Sequence, residues 1–212
     1  MKIVLIAPAD NKIAKPYSSL KVKPTPSYSG YAFPMGLSYL AAYIRQQGHE
    51  VTILDTLSLD LSIKQIKKEL SKLKPDVIGI TSMTHYIKSA VAIADLCRKM
   101  FPKVPIVCGG PHPTFDYNNL LKNYNFNYAV IGEGEITFTE LLRYLADKKS
   151  IDLSTIKGIA YKKGKKVIRN PNRIPIIKLD EVPFPARDLV NFNDYICDQL
   201  LPNAVEIMSS RG

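Results

Sequence analysis

Residues 2–7 carry an apolar run with no polar alternation, the pattern of a strand buried on both faces. Leu37, Leu40, Ala41 and Ile44 then recur at i, i+3, i+4 and i+7, and Gly48 supplies the stop, which predicts a first helix. A second strand is expected at 51–54, ending at Asp55. Ser62 and Gln65 form a capping-box pattern ahead of Ile63, Ile66, Leu70 and Leu73, a second helix. Strand three is expected at 77–81, followed by a helix marked by Ile87, Val91, Ala94 and Cys97 with Pro102 beyond its end. Residues 104–108 read as strand four, 115–122 as a short helix, 128–131 as strand five. Ile136, Leu141, Leu142 and Leu145 mark a last helix.

Five strand–helix alternations in about 150 residues predict an α/β fold, a flavodoxin-like (Rossmann-like) doubly wound five-stranded parallel sheet. Its crossovers should be right-handed, with ligands above the C-terminal strand ends. After residue 149 the pattern changes. Residues 158–161 and 166–168, joined around Lys163-Gly164, read as a small β-hairpin. Asp180-Glu181-Val182-Pro183-Phe184-Pro185 has the composition of an extended linker, and 204–208 resembles a strand that begins something new. The expected organisation is therefore an α/β domain over 1–150, a hairpin extension over 151–178, and a linker with one further strand over 179–212. The proline- and tyrosine-rich segment 9–33 is too long for an ordinary connection, and such loops are usually functional or disordered.

A composition of 46% hydrophobic and 23% charged residues allows a real core, and no apolar run approaches the roughly 20 residues of a membrane helix. Asp10, Asn11 and Lys12 follow the first apolar stretch too soon for a signal peptide, so a cytoplasmic protein is expected. Cys97, Cys108 and Cys197 have neither disulfide nor zinc-ligand spacing. The net charge of +10 suggests an anionic partner, and residues 157–178 form its one concentrated basic run. Tyr161 is the single aromatic there, too few for base stacking, so a solvated hairpin face is expected and nucleic acid is not.

Topology brings several loops to one rim: Pro8, the stretch Thr81-Ser82-Met83-Thr84, and two glycine turns. The turns are Gly109-Gly110-Pro111-His112-Pro113-Thr114 and Gly132-Glu133-Gly134-Glu135. Small and hydroxyl side chains there suit hydrogen bonding to a polar cofactor, and glycine lets the backbone approach it. Neither turn matches the dinucleotide fingerprint or the phosphate loop. Glu133 and Glu135 read either as a catalytic pair or, by default, as acids at a helix start. His112 has no second metal ligand at a recognisable spacing, and no nucleophile–base pair is visible.

Several stretches together resemble the amino-terminal domain of cobalamin-dependent radical S-adenosylmethionine enzymes. They are Phe33-Pro34-Met35-Gly36-Leu37-Ser38-Tyr39-Leu40-Ala41-Ala42-Tyr43-Ile44, Gly48-His49-Glu50-Val51, Leu54-Asp55 and Pro75-Asp76-Val77-Ile78-Gly79. Both glycine turns, Val182-Pro183-Phe184-Pro185-Ala186-Arg187 and Ser209-Ser210-Arg211-Gly212 complete the match. In that family the last element leads into CxxxCxxC, whose thiolates hold a 4Fe-4S cluster, so the chain is expected to stop just before that motif.

The resemblance implies a cobalamin platform that binds and does not catalyse alone. The corrin would lie across the rim, its nucleotide tail entering near Gly109, Gly110, Pro111, His112 and Thr114 and near Gly132, Glu133, Gly134 and Glu135. Pro8 belongs to the same rim; Thr81, Ser82, Met83 and Thr84 would face the lower side, and the loop after residue 8 would close over the ring. Relatives that ligate cobalt through histidine carry Asp-x-His-x-x-Gly after the first strand. Asp10-Asn11-Lys12 stands there in this chain, so base-off binding without a histidine ligand is expected. Met83 is either a residue beneath the metal or, by default, a gap-filling core methionine. The 4Fe-4S cluster and S-adenosylmethionine would belong to the missing barrel, the domain's natural partner. The alternatives are a cobalamin-free relative acting as a substrate- or tRNA-binding module, and a flavin-binding flavodoxin-like module.

Overall fold

The computed structural model describes residues 1–8, 33–56, 58–59, 61–191, 195 and 206–211. The segment 9–32, with Asp10-Asn11-Lys12, and Cys197 lie outside the described residues. Among the described residues, seven strands and five α-helices follow in the order β1 (Lys2–Ala7), α1 (Met35–Gln46), β2 (Glu50–Asp55), α2 (Ile63–Leu73), β3 (Val77–Thr81), α3 (Ile87–Met100), β4 (Ile106–Gly109), α4 (Pro111–Asn123), β5 (Tyr128–Val130), α5 (Glu135–Ala146), β6 (Ile159–Lys163) and β7 (Lys166–Arg169).

β1 to β5 are parallel in the order β2-β1-β3-β4-β5, the doubly wound arrangement. The two-residue period of a strand explains the layers. Val4 and Ile6 of β1 face the layer of α2, α3 and α4, where Ile66, Leu70, Ile93 and Leu120 are buried. Ile3 and Leu5 face α1 and α5, where Leu37, Ile44, Phe138 and Leu141 are buried. Gln65 Oε1 accepts from the Ser62 backbone N–H at 2.9 Å, so the capping pattern sets the start of α2 as predicted.

The sheet has seven strands, not five. The hairpin is no appendage: β6 pairs antiparallel with β5 (Ala129↔Ala160) and β7 continues the sheet. Without β6, three-residue β5 would leave its outer N–H and C=O groups unpaired at an edge. Asn170 locks the return from β7. Its Nδ2 donates to the carbonyls of Leu153 and Ile156, both at 2.8 Å, and the residue is buried. Asn170→Ala leaves both carbonyls short of a donor. An expected loss of about 2 kcal/mol, roughly 4–8 °C in Tm, is checked by thermal unfolding followed by circular dichroism.

Other expectations change in detail. α4 starts at Pro111, directly after the glycine turn, and not near residue 115, with a break in helical geometry at Asp116. Proline at N1 lacks an N–H that the first turn leaves unpaired anyway, so it opens the helix at no cost. The stretch read as a linker packs on the domain. The Ala186 N–H donates to the Ser38 carbonyl at 2.9 Å, and both carboxylate oxygens of Asp188 accept from Arg45 Nη1. Residues 206–208, the described part of the last apolar stretch, carry no strand, having no ladder partner in this sheet.

Candidate functional site

A cleft of about 280 Å³ opens above the C-terminal ends of β1, β3, β4 and β5, where the sequence placed the rim. Its floor is apolar: Leu5, Ile80, Val107 and Val130 from the strands, Phe138 from α5, Leu37 and Leu40 from α1. Its walls are rich in glycine: Gly36, Gly79, Gly109, Gly110, Gly132 and Gly134.

Three of these glycines have reasons within the protein: a Cβ at Gly79 would stand 2.8 Å from Leu5 Cδ2. Gly110 has φ +95°, and a Cβ there would stand 2.8 Å from Thr81 Oγ1 and 3.0 Å from the Ser82 carbonyl. Gly132 has φ +76°. Gly36 and Gly109 have no such reason: neither has a positive φ, and a Cβ on either would meet no atom within 4 Å. Both border the cleft, so bare backbone there keeps open a space that the protein does not itself fill. α1, α4 and α5 all begin at this rim, at Pro34, Gly110 and Gly134, and none has a side-chain N-cap bond. At α4, Pro111 and Pro113 carry no N–H and the His112 N–H is given to the Ser82 carbonyl, so it is the starts of α1 and α5 that favour an anionic ligand group.

Of the residues predicted from sequence, Thr81, Gly109, Gly110, Gly132, Glu133, Gly134 and Glu135 line the cleft. The others support it or stand beside it. Thr114 Oγ1 donates to the Gly110 carbonyl at 3.0 Å and accepts from the Gly132 N–H at 3.1 Å, tying the two glycine turns together. Ser82 is buried; its N–H donates to the Gly109 carbonyl at 2.9 Å and its carbonyl accepts from the His112 N–H at 3.1 Å. His112 Nδ1 lies 3.2 Å from Thr84 Oγ1 and Nε2 lies 3.4 Å from Asp116, so the ring is engaged within the protein. Pro8 is buried at the end of β1, and Pro111 is exposed on the first turn of α4. Met83 is 51% exposed, which overturns its reading as core filler. No group of His, Cys, Asp and Glu among the described residues could hold a metal ion.

Glu133 and Glu135 do stand at a helix start, and their partner was not anticipated. Arg211 Nη2 lies 2.7 Å from Glu135 Oε1, and Nη1 lies 3.7 Å from Glu133 Oε1. Burial works against the Arg211 charge. The Glu135 hydrogen bond and the two carboxylate charges outweigh it, holding the guanidinium above its ordinary pKa. Leu40, Phe138, Met208 and Arg211 line the cleft without having been singled out as site residues: Leu40 is one of the periodic positions of α1, Phe138 is not among those that mark α5, Met208 is expected in a strand, and Arg211 enters only with the resemblance.

The basic run of the hairpin is already engaged at several points. Lys162 Nζ donates to the Tyr124 carbonyl, Arg169 lies over the Tyr117 ring, and Arg173 pairs with Glu140. Cys97 and Cys108 are buried, and burial pushes the Cys97 thiol up to about 12 and the Cys108 thiol in the same direction. The native protein, with three cysteines, should therefore take at most one iodoacetamide label at pH near 8, read by intact mass. The sign of the shift adds that stability falls as pH rises from about 9 towards 12, where the unfolded chain ionises these thiols and the folded one resists.

A doubly wound sheet with a glycine-walled cleft at its C-terminal edge defines a ligand-binding α/β domain. The model of the B12 binding domain matches residues 26–142, and the chain belongs to that family. An uncharacterised methyltransferase from Pyrococcus horikoshii is 38% identical over 180 residues, covering 84% of this chain and 38% of the relative. The anaerobic magnesium-protoporphyrin IX monomethyl ester cyclase of Rubrivivax gelatinosus is 31% identical over 77% of this chain and 30% of its own length. The chain thus spans about a third of these relatives. Among solved structures, the cobalamin-dependent S-adenosylmethionine radical enzyme OxsB with aqua-cobalamin bound superposes with a TM-score of 0.71 at 23% identity, covering 89% of this chain and 24% of that one. The radical S-adenosylmethionine methyltransferase TsrM from Kitasatospora setae, with cobalamin and a 4Fe-4S cluster bound, gives 0.64 at 18% identity, covering 87% and 31%. These two share the fold. No described helix is long and apolar enough to cross a membrane.

Proposed function

We propose that this chain is the cobalamin-binding part of a radical S-adenosylmethionine enzyme. The cleft is where it takes the cofactor, base-off and without a histidine on cobalt. The observation that carries the reading is the bare backbone at Gly36 and Gly109, a cradle that a Cβ would fill and that no protein contact requires. Gly109, Gly110, Gly132 and Gly134 would admit the nucleotide tail, with Thr81 and the starts of α1 and α5 as polar partners. Met83 and Thr84, exposed on the loop after β3, would face the corrin; Ser82, Pro111, His112 and Thr114 hold that loop and the glycine turns in register, and Pro8 ends the neighbouring strand. The engagement of His112 with Thr84 and Asp116 supports the absence of a ligating histidine from this turn.

When bound, cobalamin supplies a cobalt centre able to carry and release an alkyl group. The chain's own contribution is to bind it, orient it and exclude water from its apolar floor. The 4Fe-4S cluster, S-adenosylmethionine and the substrate would be held by the part of the enzyme beyond this chain, in accord with the greater length of its relatives. Titration with hydroxocobalamin followed by gel filtration should retain about one equivalent with a base-off visible spectrum. Loss of the cofactor both from this chain and from the chain extended through the cluster-binding part would overturn the reading.

A further inference from the structure

Met208 and Arg211 of the stretch 206–211 line the cleft, and the stretch is held at both ends. At one end, Arg187 Nη2 donates to the Glu206 carbonyl while the same guanidinium lies 5.1 Å from the Phe33 ring centroid. At the other, Arg211 reaches Glu135 and Glu133 and lies 5.1 Å from the Tyr39 ring centroid. Between these anchors Met208 lines the cleft.

The Arg211 pair is shielded: its side chain is 15% exposed and that of Glu135 is 6%. Glu133 adds a third segment, since its other carboxylate oxygen accepts from the Ile176 N–H at 2.7 Å. The start of α5 and the glycine turn before it therefore gather the stretch after β7 and the stretch 206–211 onto one pair of carboxylates. A shielded arginine–carboxylate pair contributes little net stability and tolerates little displacement, because either charge left alone is poorly solvated. It suits the fixing of register. A carboxylate at N1 of α5 is also favoured by the helix field, so the anchor side is already in place before Arg211 arrives.

We propose that Arg211 is a positioning residue: paired with Glu135 and Glu133, it fixes residues 206–211 over the cleft, so that one ion-pair cluster both retains the bound cofactor and sets where the chain leaves the domain. This rests on the reading of the cleft as the cobalamin site. The glutamates of the second glycine turn are then latch partners for the following segment.

Trypsin tests the latch without cofactor, because cleavage after Arg211 requires that side chain to leave its partners and enter the protease. Cleavage after Arg211, read by intact mass, should be at least about tenfold faster in the Glu133→Gln/Glu135→Gln variant than in the wild type. Cleavage at the exposed Lys163 in the hairpin should be unchanged as a control on folding. Equal rates after Arg211 would overturn the latch.

The second arm measures release of hydroxocobalamin into excess apo-acceptor by its visible spectrum. Release should be about tenfold faster from Arg211→Gln than from the wild type, with Arg211→Lys between them. Because the pair is shielded, added salt should move the wild-type rate little. Equal release rates from proteins that do retain cobalamin would overturn the positioning role. Failure of every form to retain cobalamin would instead overturn the site reading, and the trypsin comparison would still decide the latch.

Discussion

Gly110→Ala is expected to destabilise the protein by about 3 kcal/mol, lowering Tm by roughly 6–12 °C in a chain of this size. Two separate costs combine. The backbone at φ +95° disfavours any L side chain, and the added methyl would sit 2.8 Å from Thr81 Oγ1 and 3.0–3.1 Å from the Ser82 backbone. Backbone atoms cannot swing aside as the end of a long side chain can. Relief must therefore come from moving the loop after β3 away from the glycine turn. That strains the Ser82 N–H to Gly109 carbonyl bond and the His112 N–H to Ser82 carbonyl bond. Because Thr81 lines the cleft, cobalamin retention should fall with stability. Thermal unfolding and the hydroxocobalamin titration read both effects; an unchanged Tm would refute this account of the turn.

Gly109→Leu, one residue earlier, is expected to do the opposite. Its Cβ meets nothing within 4 Å, so Tm should stay within a few degrees of the wild type. The isobutyl group projects into space that the proposed cofactor needs, and retention should fall at least about tenfold, equivalent to about 1.4 kcal/mol. Gly36→Leu should behave likewise from the α1 side of the cleft. The contrast between adjacent glycines separates a structural requirement from a ligand requirement. If Gly109→Leu retained cobalamin as the wild type does, the cleft would not be the cofactor site.

The parallel sheet and its helices were legible in the sequence because each depends on local pattern. A short apolar run without alternation, bounded by turn residues, fits a strand covered on both faces, and the 3.6-residue recurrence in α1, α2, α3 and α5 marks one buried helix face. The glycine turns were legible for the same reason. They follow apolar runs directly, and in such a topology strand ends share one rim.

What decided the rest was pairing at long range. Residues 158–168 announce a hairpin, but nothing local says that β6 will lie beside β5. That choice follows from the unpaired edge that β5 would otherwise present. The start of α4 at Pro111 was hidden because proline reads locally as a breaker, while at N1 it serves as an opener. Whether a glycine is there for its own backbone, as Gly110 is, or for open space, as Gly109 is, depends on which atoms lie opposite.

Arg211 shows the same division. Its sequence neighbours carry the family resemblance, yet its partners Glu133 and Glu135 lie far back in the chain and meet it only in the folded protein. Periodicity determined which elements form and which face each buries. Tertiary structure alone determined which charges meet across the cleft, because an ion pair depends on separation in space and not along the chain.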